Sequence, residues 1–126
     1  ENLSTFSAHI KNVLDVLGEV DSDSFVIMDE LGSGTDPAEG MGIAVAILEE
    51  LRKSGALFLV TTHYPEVKEY AVKAEHIVNA RMTFDEETLS PTYRMIIGQA
   101  GESCAFSIAE RLGMPREMLE TARMAA

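Results

Sequence analysis

Asp29 and Glu30 follow the apolar run Phe25-Val26-Ile27-Met28 without a spacer, and His63 closes a second apolar run that ends Leu59-Val60-Thr61-Thr62. Acids at the C-terminal end of a buried strand lie where open α/β sheets place their ligands. In phosphoryl-transfer sites an Asp in this position helps hold the Mg²⁺ that bridges nucleotide phosphates. An adjacent Glu can orient and deprotonate the attacking water. The same residues also suit a strand that ends in solvated acids, and a histidine at a strand end is more often structural than catalytic. A metal cage of Asp29, Glu30 and His63 is disfavoured, because neighbours on a strand project to opposite faces.

Such a site needs two parallel strands with a helix between them. Residues 24–30 read as one buried parallel strand, since a short run containing Phe, Val and Ile is too brief for a helix. Residues 56–62 read as the second. Between them, Asp36 is the N-cap of a helix that has Pro37 at its first position and Glu39 placed to complete a capping box. That helix runs to about residue 54, with Ile43, Ile47, Leu48 and Leu51 inward, Glu49, Glu50, Arg52 and Lys53 outward, and Gly55 as its stop. Gly40 and Gly42 weaken its first turns and suggest that another backbone comes close there. Strand, helix and strand form a βαβ unit, which brings Asp29, Glu30 and His63 to one edge of the sheet.

Around this unit the chain reads as further short elements. Phe6, Ile10, Val13, Leu14 and Leu17 recur at spacings of three and four, which predicts an amphipathic helix over 3–17 with Gly18 as its stop and Ser4 or Thr5 as its cap. The positive end of a helix that starts on hydroxyls also suits a phosphate, although capping is the commoner use. A short helix is expected over 64–72, with Val67 and Tyr70 or Ala71 as contacts. Strands are expected over 76–84 and 92–97, antiparallel with one exposed face, and separated by an acidic turn and a break at Ser90-Pro91. A helix over 102–112 should bury Ala105, Ile108, Ala109 and Leu112, and Pro115 starts a final helix.

Composition narrows the function classes. Twenty-one acids against ten bases give a net charge of −11, so this stretch is a poor match for the Lys/Arg-rich surfaces that neutralise nucleic-acid phosphates. No apolar run approaches the roughly 20 residues that span a bilayer, and the first residues lack a secretory leader's pattern. One cysteine, Cys104, excludes an internal disulfide and fits a packed thiol in a reducing, cytoplasmic compartment. No Gly-x-x-x-x-Gly-Lys-Ser/Thr motif occurs in the 126 residues.

Three separated motifs carry a resemblance. Leu3-Ser4-Thr5-Phe6-Ser7 is similar to the signature-helix start, Met28-Asp29-Glu30-Leu31-Gly32-Ser33-Gly34-Thr35 to the Walker B and D-loop, and Thr62-His63-Tyr64 to the switch histidine of the ABC-type ATPase domain of the MutS family. Thr35-Asp36-Pro37-Ala38-Glu39-Gly40, His63-Tyr64-Pro65-Glu66, Leu89-Ser90-Pro91-Thr92-Tyr93 and the ending Ala105-Phe106 with Arg111-Leu112-Gly113 resemble the second, recombination-suppressing branch rather than the mismatch-recognising one. The chain departs from that branch at Glu102-Ser103-Cys104, where Arg and Asn tend to replace Glu and Cys. The Leu3-Ser4-Thr5-Phe6 start also differs from the Leu-Ser-Gly-Gly type of other ABC machines.

The resemblance implies an α/β fold: part of a P-loop NTPase sheet with flanking helices, then a C-terminal antiparallel strand pair and helices. It implies that Asp29 holds Mg²⁺ through its water shell, Glu30 acts on the attacking water and His63 senses the γ-phosphate of ATP. Ser4 and Thr5 would reach the nucleotide of the opposite subunit of a homodimer, and Gly34, Thr35 and Asp36 would lie along that interface. All 126 residues would be the C-terminal portion of the ATPase domain of a longer protein, with the P-loop half and the DNA-binding regions elsewhere. The isolated chain is then expected to be inactive and to leave an apolar face or sheet edge uncovered. Branched DNA or a similar nucleic acid is the implied target, with the ribosome as an alternative partner and no membrane. Another ABC-type ATPase and a non-catalytic dimerisation module are the competing readings.

Overall fold

The structure is a computed structural model that describes residues 3–101 and 104–126. It is a mixed α/β chain in two compact units, Glu1–Ile77 and Val78–Ala126. The first unit contains α1 (Leu3–Glu19), β1 (Phe25–Met28), α2 (Pro37–Ser54), β2 (Leu57–Val60) and α3 (Pro65–Lys73). β1 and β2 pair in parallel, with Phe25 opposite Leu57 and Met28 opposite Val60.

The core lies on one face of this strand pair. Val26 and Met28 are buried together with Val13 of α1, Ala44, Ile47, Leu48 and Leu51 of α2, Val67 of α3, and Leu31 and Tyr64 from the connecting loops. Leu31 and Leu51 are fully enclosed; burying such a side chain contributes about 1.5–3 kcal/mol. The opposite face is open to water, with Phe25 60%, Ile27 66%, Leu57 70% and Leu59 48% exposed. The strands are therefore not buried on both faces as their composition suggested, because the helices of this unit pack on one side alone. This open face is the uncovered apolar surface expected above.

Local chemistry sets the helix ends. The Asp36 carboxylate accepts the Glu39 N–H at 3.2 Å, Pro37 occupies the first turn, and Gly55 closes α2 at φ 78°. A side chain at that left-handed position would be strained, which is why glycine ends so many helices. α1 runs one residue beyond Gly18, to Glu19, so Gly18 lies in its last turn rather than past its end. Ser4 and Thr5 lie within its first turn rather than at the cap. Leu14 is exposed while Val13 is buried, because the apolar stripe is narrower than the spacing of the leucines implied.

The second unit contains β3 (Ala80–Asp85), β4 (Ser90–Ile97), α4 (Ala105–Arg111) and α5 (Arg116–Ala125). β3 and β4 are antiparallel from Asp85 opposite Ser90 to Ala80 opposite Ile97, with an irregularity between Met82 and Phe84. β3 starts four residues later than its pattern predicts; His76, at φ 66°, cannot continue an extended run. Ser90 and Pro91 belong to β4 rather than breaking it, and β4 is exposed on both faces along residues 91–95. Asp85 shapes the turn by accepting the N–H groups of Glu87 and Thr88. α4 buries none of its residues, and Leu112 lies past its end and exposed. Glu102 and Ser103 of the expected helix lie outside the described residues. Cys104, half-buried, precedes α4. α5 sets the Arg123 guanidinium 5.6 Å over the Phe106 ring, a cation–π contact between the two helices.

Candidate functional site

The parallel register brings the loops after β1 and β2 to the same end of the strand pair, so Asp29, Glu30 and His63 all leave from one rim. The two loops are tied together residue by residue. Thr61 N–H donates to the Met28 carbonyl at 2.9 Å, and the Thr61 carbonyl accepts Leu31 N–H at 2.9 Å. The Thr61 hydroxyl donates to Asp29 Oδ1 and accepts the Glu30 N–H at 2.9 Å. Glu30 itself sits at φ 53°, the left-handed region that non-glycine residues seldom occupy. The strand has already ended at Met28, so strict alternation no longer governs where the two neighbouring acids point. Asp29, Glu30 and His63 are all exposed to solvent. Among the described residues no three His, Cys, Asp or Glu side chains form a metal cage.

Behind the rim, the loop carrying Gly32 to Asp36 is held by Tyr64. Its buried hydroxyl donates to the Gly32 carbonyl at 2.7 Å, and its ring stacks on His63 at 4.6 Å between centroids. Gly32, at φ 85°, and Gly40 of α2 pack backbone against backbone, with Tyr64 between them. A Cβ at Gly40 would overlap the Gly32 carbonyl and the Tyr64 hydroxyl, and one at Gly32 would stand 2.9 Å from the Tyr64 ring. The close approach expected at Gly40 is present; at Gly42 a Cβ would meet nothing within 4 Å. Ser33 closes the turn by giving its N–H and its hydroxyl to the Glu30 carbonyl, at 3.2 and 2.8 Å.

The remaining residues singled out in the sequence form a neighbouring group. Gly34, at φ 99°, lies against Phe6, whose Cβ would be 3.6 Å from a side chain added there. The first turns of α1, which carry Ser4 and Thr5, thus lie beside the loop holding Gly34, Thr35 and Asp36. Asp36 is partly committed, since its carboxylate caps α2. The sequence assigns Thr61 no role, and Tyr64 stands out there only as a neighbour of His63 in the quoted motifs. A threonine at a strand end looks like β-propensity, and a tyrosine next to a histidine looks like core filler.

A second polar cluster lies elsewhere. Glu49 accepts from Arg52 and from the Tyr70 hydroxyl, and these residues line a depression of about 510 Å³ with Lys73, Ala74 and Glu75. Bonds from Arg52, then Tyr70, hold the Glu49 carboxyl down at about 2. Burial, then the Glu49 carboxylate, pushes the Tyr70 phenol up. Glu49 is thirteen residues along α2 from Asp36, about 20 Å at the helical rise. This cluster belongs to the opposite end of the unit from the acid pair.

A family model described as MutS domain V matches residues 1–126. Among curated proteins, the "Endonuclease MutS2" of Halalkalibacterium halodurans is 51% identical over 123 residues, covering 98% of this chain and 16% of that protein. The "Endonuclease MutS2" of Clostridium botulinum strain Loch Maree is likewise 51% identical, and that of Thermotoga petrophila 53%, with the same coverage. The chain thus spans about a sixth of the length of these relatives.

Proposed function

The chain belongs to the MutS family, in the branch of its MutS2 relatives, and on that premise we propose that it supplies the hydrolytic rim of an ATPase within a longer DNA-binding protein. The observation that carries this is the convergence of Asp29, Glu30 and His63 at one end of a parallel strand pair, with both acids anchored by Thr61. Exposed carboxylate oxygens suit Mg²⁺, which prefers hard oxygen donors and keeps several of its waters. Asp29 would hold the ion through such a water, with one carboxylate oxygen already fixed by the Thr61 hydroxyl. When bound, Mg²⁺ neutralises charge on the nucleotide phosphates. Glu30 orients the attacking water and takes its proton. His63, which stacks on Tyr64, would read the terminal phosphate of ATP.

In this reading Ser4 and Thr5 meet the nucleotide held by the other subunit of a homodimer, and Gly34, Thr35 and Asp36 line the shared interface. Their support is the packing of Gly34 on Phe6, which sets the helix start beside that loop. Phosphate binding by the P-loop type of cradle falls to the rest of the longer protein, as does DNA contact, since this chain carries a net charge of −11. Turnover is then coupled in the cytoplasm to branched DNA or a similar nucleic-acid target, with the ribosome as the alternative partner. No helix among the described residues is long and apolar enough to cross a membrane.

The test is Glu30→Gln in the full-length protein. Retained ATP binding with turnover abolished supports hydrolysis at this rim. Unchanged turnover refutes it and favours a non-catalytic dimerisation module whose acids are structural.

A further inference from the structure

We propose that Thr61 is the positioning residue for the acid pair, and that its hydroxyl sets where Asp29 and Glu30 stand. This rests on the ATPase reading above and adds a residue to it. A threonine hydroxyl has one proton to give and lone pairs to receive, and here both capacities are used across the strand pair. The proton goes to Asp29 Oδ1, and a lone pair accepts the Glu30 N–H at 2.9 Å. The Thr61 main chain adds bonds to Met28 and Leu31, so this one residue after β2 engages four consecutive residues, the last of β1 and the three that follow it.

The need for such a clamp is visible in the backbone. Glu30 is held at φ 53°, a conformation that persists in a non-glycine residue only when its surroundings impose it. Its carbonyl is fixed by Ser33 within its own loop. Its N–H is fixed from the neighbouring strand, by the Thr61 hydroxyl alone among the described residues. Removing that hydroxyl frees the Glu30 peptide to relax and leaves the Asp29 carboxylate without its partner at Oδ1. Thr61 is exposed, so a β-branched replacement without the hydroxyl preserves the fold. The effect should therefore fall on the geometry of the acids and not on the core.

Thr61→Val, Thr61→Ser and Glu30→Gln in the full-length protein form the test. Thr61→Val is expected to lower kcat about tenfold or more, the scale on which sub-ångström misplacement of reacting groups acts, and to raise the Mg²⁺ concentration for half-maximal turnover. The KM for ATP stays within about twofold, and Thr61→Ser restores both quantities, since the hydroxyl rather than the methyl matters. In the 126-residue chain, the Glu30 amide proton should be protected from exchange with water, and lose that protection in Thr61→Val while Leu48 and Leu51 keep theirs. A Glu30 amide that exchanges freely in the unmodified chain overturns the proposal whatever the variants do. If Glu30→Gln is inactive while Thr61→Val turns over normally, Thr61 has no such role and the ATPase reading stands. If Glu30→Gln remains active, it is the ATPase reading that fails.

Discussion

Adding one methyl group at Gly40 and the same group at Gly42 should move stability in opposite directions. Both glycines lie inside α2, and in each the change to alanine gains about 0.8–1 kcal/mol of helix propensity. At Gly42 nothing opposes that gain, because the new Cβ meets open space. At Gly40 the Cβ overlaps the Gly32 carbonyl and the Tyr64 hydroxyl and stands 3.1 Å from Tyr64 Cζ. Overpacking of this kind costs about 1–3 kcal/mol. If Tyr64 swings aside to make room, the buried Gly32 carbonyl loses its partner, at a further cost of about 1–3 kcal/mol. With both costs present the net expectation is a loss of about 1–5 kcal/mol for Gly40→Ala, against a gain of up to about 1 kcal/mol for Gly42→Ala. Urea unfolding, followed on the backbone amide signals of Leu48 and Leu51 so that the first unit alone is read, measures both. A Gly40→Ala chain as stable as Gly42→Ala would refute the argument that Gly32, Gly40 and Tyr64 are packed without room for a side chain.

Other outcomes follow from the same contacts. Tyr64→Phe removes only the hydroxyl that serves the Gly32 carbonyl and should cost about 1–2 kcal/mol in the same urea assay. Leu31→Ala empties a fully enclosed site directly after Glu30 and should cost about 3 kcal/mol, a value a small residual cavity would lower. The Glu49 carboxyl is held below its ordinary 4.5 at about 2, so its bonds to Arg52 and Tyr70 stabilise the fold fully above pH 4.5. That contribution fades as pH falls from there toward 2. Acid unfolding of Glu49→Gln should therefore show less stability loss than the unmodified chain across that window, and identical slopes would remove the group from the account. Because no P-loop motif lies in these 126 residues, the purified chain should show no ATP turnover; phosphate release lost on Glu30→Gln would contradict this.

What the sequence made legible was chemistry that acts locally. Asp36, Pro37 and Gly55 mark the ends of α2 through caps and backbone angles that involve only adjacent residues, and the structure places them there. The parallel strand pair was legible from two apolar runs joined by one helix. Tertiary selection was harder to read. Val13 and Leu14 both fit the helical spacing, but which one faces inward depends on the sheet beneath. Gly18 looked like the first residue past the helix, but the last turn of α1 extends one residue beyond it to Glu19. His76 and Glu30 take positive φ angles that no composition rule marks. At the candidate site the acids and the histidine stood out by type, whereas Thr61 and Tyr64 act through hydroxyls whose partners lie 31 or 32 positions away.

The one-sided strand pair has a consequence for how this chain would tolerate sequence change. Replacing Phe25 or Ile27 with a polar residue removes hydrocarbon that water already touches, whereas the same replacement at Val26 or Met28 drives a polar group into the core. A saturation scan along β1 would read as a comb with a tooth at every second position, permissive at 25 and 27 and forbidding at 26 and 28. The same scan in a setting where the open face is covered would lose its permissive gaps.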